Sequence, residues 1–83
     1  MYHVNVYVSY KESILDPQVE VITKAMNRLG FGQIEKLKLG KQFDFELAGT
    51  SIEEVEIAAN QLCDQLLANI NMESYRIHIT EVN

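Results

Sequence analysis

The sequence predicts an α+β domain of order β-α-β-α-β, an antiparallel sheet with two helices on one face, related to ferredoxin-like folds. Three observations carry this expectation. Apolar residues alternate with a period of two near both termini and in the middle of the chain. Two intervening stretches carry apolar stripes at spacings of three and four. Each of those stripes follows a residue able to cap a helix. The 83 residues read as one domain, 1–83, without linker, internal repeat or low-complexity run.

From Tyr2 to Tyr10, Tyr2, Val4, Val6 and Val8 fall on one face, and His3, Asn5 and Ser9 on the other, which is a strand rich in β-branched residues. Lys11 to Leu15 forms a loop. Asp16 can accept from the free amides of the first helical turn, and Pro17 suits the first helical position, where no N–H is needed. The first helix is expected over Pro17–Leu29, with Val19, Ile22, Met26 and Leu29 as its stripe. Glu20 in the first turn and Arg28 in the last suit the helix dipole. Gly30 supplies a left-handed stop, over which Phe31 can fold back.

The next segment is expected to be one long strand. Leu37, Leu39, Phe43, Phe45 and Leu47 share parity across Gly40, and a hairpin there would need at least two loop residues. A central strand from Ile34 to Leu47, bent at Gly40, follows from that reading. At about 3.3 Å per residue it would be roughly 45 Å long. A globule of this size has a radius of gyration near 12 Å, so the strand should overhang its own domain and need a partner, most simply a second copy. Ser51, with Glu54 three residues on, forms a capping box for the second helix. Its buried face is expected at Val55, Ala58, Ala59, Leu62, Leu66 and Leu67, ending near Asn69. Tyr75 to Val82 alternates again and closes the order with a last strand.

A chain of this length buries only roughly 60–65% of its unfolded surface, so its core needs a supplement. A lone cysteine, Cys63, cannot form an internal disulfide, and two distant histidines with it make no zinc spacing. Oligomerisation, as a dimer or tetramer, is the remaining common route. The net charge of −5 argues against nucleic acid and anionic membranes as partners. No apolar run reaches the roughly 20 residues a membrane span requires, and no export pattern opens the chain, which fits the cytoplasm. Lys36, Lys38 and Lys41 form a local basic patch that reads first as a solvated strand face.

No residue set reads as catalytic. His3 and His78 lie on the first and last strands with no nucleophile or carboxylate fixed beside them in sequence, so they read as polar strand residues. Cys63 sits beside an apolar stripe and reads as a small buried hydrophobe. Glu53, Glu54 and Glu56 are explained by capping and the helix dipole. Gly30-x-Gly32 ends a helix and is too short for a dinucleotide fingerprint, and there is no CxxC for a heavy metal. Phe43 and Phe45 share the parity of Leu37 and Leu47, which places them in the core and not on an RNA-stacking face.

Leu15-Asp16-Pro17-Gln18, Gly40-Lys41 entering an alternating strand, Cys63-x-x-Leu66-Leu67-Ala68-Asn69, and Glu73 with Tyr75 occur in this order and spacing. From about Tyr2 to about Glu81 the chain thereby resembles the PurS family, small subunits of phosphoribosylformylglycinamidine synthase. It departs from that pattern at Glu12-Ser13, where Pro-Gly is common, at Val19, where a glycine usually stands, and at Ile70, where a proline often stands. Val19 puts any close backbone approach at the first helical turn in doubt.

The resemblance implies a non-catalytic subunit in the fourth step of de novo purine synthesis. There, a large synthetase subunit uses ATP and magnesium to activate formylglycinamide ribonucleotide, and a glutaminase subunit releases ammonia. The small subunit, itself a dimer or tetramer, bridges the two and is expected to bind no cofactor or metal alone. The implied contact residues are Asp16, Pro17, Gln18, Gly40, Lys41 and Asn69, together with the sheet edges. The alternative is a stand-alone ferredoxin-like homodimer that binds a small regulatory effector, for which ligand-dependent stabilisation of the isolated protein would be diagnostic.

Overall fold

Val4, Val6 and Val8 of the first strand are all but completely buried, and the molecule is built around them. The computed structural model describes residues 1–82. Its elements are β1 (Tyr2–Tyr10), α1 (Pro17–Arg28), β2 (Gly40–Leu47), α2 (Ile52–Leu62), a π-helical turn (Cys63–Leu67) continuing α2, and β3 (Glu73–Glu81). The sheet has the order β2-β1-β3 and both pairings are antiparallel. Val4 lies between Phe45 and Ile79, and Val6 between Phe43 and Ile77, so larger side chains flank each central valine. Val55, Ala59 and Cys63 of α2 and its continuation close over them. At such sites burial contributes roughly 1.5–3 kcal/mol per large aliphatic side chain.

Helix α1 starts as expected. Asp16 Oδ1 accepts from the Gln18 amide at 2.9 Å, with Pro17 in the first turn. It ends in a Schellman arrangement. The Phe31 amide donates to the Met26 carbonyl and the Gly30 amide to the Asn27 carbonyl, with Gly30 at φ +95°. Its packing differs from the expected pair of helices on one face. Helix α2 packs on β1 and β3, whereas α1 has no fully buried residue: Val19, Ile22 and Met26 are half-buried and Leu29 is 75% exposed.

The expected strand from Ile34 to Leu47 is corrected by the structure. Only Gly40–Leu47 is strand, and it forms an edge of the sheet, the centre being β1. Pairing reaches Ser9 opposite Gly40, and β1 ends one residue later, so residues 34–39 have no ladder to join. Lys36 at φ +56° breaks the extended path as well. The shared parity of Leu37 and Leu39 with Phe43 therefore crosses a boundary without meaning a strand. All eight residues of Gly40–Leu47 pair with β1, so the strand does not overhang its sheet, but the molecule is elongated. The radius of gyration is 16.3 Å and the extents are 51 × 29 × 14 Å, against about 12 Å for the radius of a compact chain of this length.

Helix α2 opens with Ser51 Oγ accepting from the Glu54 amide at 3.2 Å. The returning bond from Glu54 goes to the Thr50 amide, 3.1 Å, and not to Ser51 itself. Of its expected buried face, Val55 and Ala59 are buried, while Ala58, Leu62 and Leu67 are half-buried. Leu66 is 73% exposed, contrary to expectation. The wide π turn begins at Cys63 and adds a residue to the repeat, which rotates Leu66 outward and brings Ala68 into the core.

Candidate functional site

The loop before α1 and the start of β2 meet at one end of the sheet. Asp16, Pro17 and Gln18 line an open groove of about 590 Å³ together with Gly40, Lys41 and Glu73, floored by Val8 and Tyr10. Five of the six sequence-derived contact residues are thus side by side, although residues 18 and 40 are separated by a whole helix and a loop. Asn69 does not line the groove but is tied to it through Glu73. The Asn69 amide donates to Glu73 Oε1 at 2.8 Å, and the Glu73 amide donates back to the Asn69 carbonyl at 2.6 Å. The other carboxylate oxygen of Glu73 lies 3.9 Å from Lys41 Nζ, across the end of β1.

Glu73 is the residue that sequence reasoning left out of the site. Its side chain is only 14% exposed, whereas that of Lys41 is 55% exposed. The carboxylate therefore serves as an internal brace that orients an accessible ammonium. The signal available in the sequence was an acid two residues before Tyr75, which marks a strand entry without showing what it faces.

Gly40 is required by its neighbour on the opposite sheet face. A Cβ at this position would fall inside the Tyr7 ring, which lies diagonally across the β1–β2 ladder. That ring also carries the Arg76 guanidinium 5.3 Å from its centroid. The Lys36–Lys38–Lys41 patch is not a solvated strand face, since only Lys41 is on a strand. Lys38 lies 3.7 Å from Glu12 and Lys41 pairs with Glu73, so two of its charges face acids.

Several other polar side chains pair with one another. His3 Nε2 lies 3.2 Å from Asp44 Oδ1, an acid the linear sequence did not place there. Asn5 donates to the same oxygen at 2.8 Å and, with His3, holds the Asp44 carboxyl below its ordinary value. His78 pairs in register with Asn5, two ladder positions from His3, and no nucleophile joins them among the described contacts. Cys63 is fully buried, and burial pushes its thiol up, as does Asp64 beside it. The Tyr75 hydroxyl donates its one proton to Asp64 at 2.8 Å, with Asn60 Oδ1 3.1 Å away, and so ties β3 to the π turn. Among the described residues no His, Cys, Asp or Glu cluster could hold a metal ion, and no helix is long and apolar enough to cross a membrane. This end of the sheet is an open recess in which Asp16, Lys41 and Glu73 stand among apolar neighbours, Val8, Pro17 and Leu39.

Residues 3–81 match the family model PurS, phosphoribosylformylglycinamidine (FGAM) synthase. A relative named phosphoribosylformylglycinamidine synthase subunit PurS from Bacillus subtilis is 34% identical over 82 residues, covering 99% of this chain and 96% of the relative. The protein of the same name from Archaeoglobus fulgidus is 36% identical over 73 residues, 88% of this chain and 91% of its own. The crystal structure of Bacillus subtilis PurS superposes with a TM-score of 0.87 at 33% identity over 98% of this chain and all of that one. PurS of Methanocaldococcus jannaschii is described as one of the subunits of formylglycinamide ribonucleotide amidotransferase in the purine biosynthetic pathway. It superposes with a TM-score of 0.87 at 28% identity over the full length of both chains.

Proposed function

This chain belongs to the PurS family, and from that membership we propose that it is the small, non-catalytic subunit of phosphoribosylformylglycinamidine synthase. In this reading it acts in the cytoplasm, associates with itself, and bridges a large synthetase subunit and a glutaminase subunit. The large subunit uses ATP and magnesium to activate the amide oxygen of formylglycinamide ribonucleotide. The glutaminase supplies ammonia, and this chain aligns the two so that ammonia passes between them. The physical need is containment: free ammonia is largely protonated at neutral pH and is then no nucleophile, so the docked subunits must enclose its path. The observation that carries the reading is a family match over residues 3–81, nearly the whole chain. The groove adds a place for contact. Asp16, Pro17, Gln18, Gly40 and Lys41 share its lining, and Asn69 braces it through Glu73. Lys41 offers a charge to an acidic partner surface.

The test is reconstitution of formylglycinamidine ribonucleotide synthesis from the large subunit and the glutaminase, with and without this protein, with ammonia as the control nitrogen source. Glutamine should support turnover only when this chain is present, while ammonia supports the large subunit alone. If the chain changes neither activity, the proposal fails. With Gln18 and Lys41 both replaced by alanine, the protein should keep its fold but assemble at least roughly tenfold more weakly with the other subunits, as for loss of a central interface contact. Unchanged assembly would remove the groove from the interface and leave the subunit reading standing.

A further inference from the structure

We propose that the free edge of β3 takes an extended segment of another subunit as a fourth strand, and that this segment alternates apolar with basic side chains. This rests on the subunit reading above and gives the chain a second contact, apart from the groove at the end of the sheet. Strand β3 pairs with β1 in unbroken register from Glu73 to Glu81, and its other side borders no strand. The Lys11 amide donates to the Met72 carbonyl, and the Val82 amide to the Met1 carbonyl. In an antiparallel ladder such bonds recur at every second residue. Ser74, Arg76, His78 and Thr80 therefore turn their backbone groups toward β1, and Tyr75, Ile77 and Ile79 turn theirs outward. Among the described residues no backbone partner takes these three. Sheet edges are commonly blunted by proline, lysine or a bulge, and β3 has none of the three.

Helix α2 supplies a wall beside this edge. Ile52, Glu56 and Asn60 stand along it at intervals of four, and with Tyr75, Ile77 and Ile79 they line a groove of about 300 Å³. The edge of β2 has no such wall, because α2 packs over β1 and β3. The two sides of the groove match in length. Ile52 to Asn60 spans about 12 Å of helix, and Tyr75 to Ile79 about 13 Å of strand, the reach of about five extended residues. A strand added there sends alternate side chains into the groove. Ile52, 42% exposed, and the half-buried Ile77 and Ile79 suit apolar ones, and Glu56 suits a cation. Sign also decides the occupant. Helix α2 and its π turn carry Glu53, Glu54, Glu56 and Asp64 and no basic residue. A second copy pairing β3 with β3 would lay the same acidic helix against this one, like charge facing like. A basic segment of a different protein meets the opposite sign.

The experiment uses the full chain, alone and assembled with the large synthetase subunit and the glutaminase. Amide hydrogen exchange is read residue by residue over peptide 73–81. In the chain alone, Tyr75, Ile77 and Ile79 should exchange freely while Arg76, His78 and Thr80 are protected; on assembly the first three should slow by roughly tenfold or more. A benzophenone amino acid at position 52 should then cross-link to a segment of another subunit in which Lys or Arg alternates with apolar residues. Assembly with unchanged exchange overturns the edge docking and leaves the subunit reading standing. Protection already present in the chain alone, or cross-links to a second copy or to a segment without basic residues, overturns the proposal. Failure to assemble at all overturns the subunit reading and this proposal with it. Two variants give an independent check. Ile77→Pro removes one outward N–H and no bond to β1, and Glu56→Lys reverses the charge on the groove wall. Each should weaken assembly by roughly tenfold or more. If Ile77→Pro does not fold, Glu56→Lys carries the test, since Glu56 is exposed on α2. Assembly unaffected by that reversal excludes a basic segment and overturns the proposal.

Discussion

Tyr75 shows how much a single hydroxyl can bind together. It donates to Asp64 beside Asn60, and the bond to the carboxylate, with some burial, pushes its phenol up to about 12 from the ordinary 10. The folded value lies above the unfolded one, so this contribution to stability is complete below pH 10 and is lost as pH rises through about 12. In a spectrophotometric titration of the four tyrosines, the latest step should fall near pH 12. Tyr75→Phe should remove it and Asp64→Asn should bring it down; a late step that survives Tyr75→Phe would contradict the assignment. Gly40 gives a second test at this scale. Gly40→Ala would drive a Cβ into the Tyr7 ring, costing about 1–3 kcal/mol by overpacking. Adding Tyr7→Ala should recover much of that loss. Denaturation of the single and double variants measures the coupling, and strict additivity would mean that Tyr7 is not what requires the glycine.

At the scale of elements, the helix termini obey local chemistry, while the surfaces the helices present are decided by packing. Ser51→Ala should cost about 1 kcal/mol through loss of the cap. Glu54 acts on the residue before, where the Thr50 hydroxyl and amide hold its carboxyl below the ordinary 4.5. Its folded value is depressed, so its contribution is present above pH 4.5 and is lost as pH falls through the folded value. Glu54→Gln should therefore flatten the acid limb of stability against pH, measured by urea unfolding between neutral and acid conditions. An unchanged acid limb would show that the Thr50 bonds carry no stability. The π turn is the element with the largest consequence for sequence reading. One added residue in the repeat exposes Leu66, seats Ala68 and positions Asp64 for Tyr75.

For the whole molecule, shape is the main energetic fact. A chain of 83 residues spread to a radius of gyration of 16.3 Å leaves Leu29, Phe31 and Ile34 substantially exposed at the α1 end. If association buries such surface, the folded state is coupled to concentration by mass action. The thermal midpoint should rise measurably as protein concentration is raised tenfold or more, and calorimetry at several concentrations checks this. A midpoint independent of concentration would mean that the isolated chain is stable alone. The groove at the end of the sheet takes its lining from strand ends, Asp16 and the first turn of α1, and not from the α1 stripe.

Most local decisions were legible in the sequence because their physics is short-range. The period of two around Val4, Val6 and Val8, the Asp16-Pro17 helix start, the Gly30 stop and the Ser51–Glu54 cap each act within a few residues, and each stands where it was expected. The four motif segments were enough to assign the family. Tertiary structure alone decided where β2 begins, because a strand extends only as far as its neighbour offers a ladder, and β1 stops at Tyr10. It also decided that Leu66 faces outward, that α1 buries no residue fully, and that Glu73 joins Lys41 to Asn69. These depend on which surfaces meet across long sequence separations, and the one-dimensional pattern holds no measure of that distance.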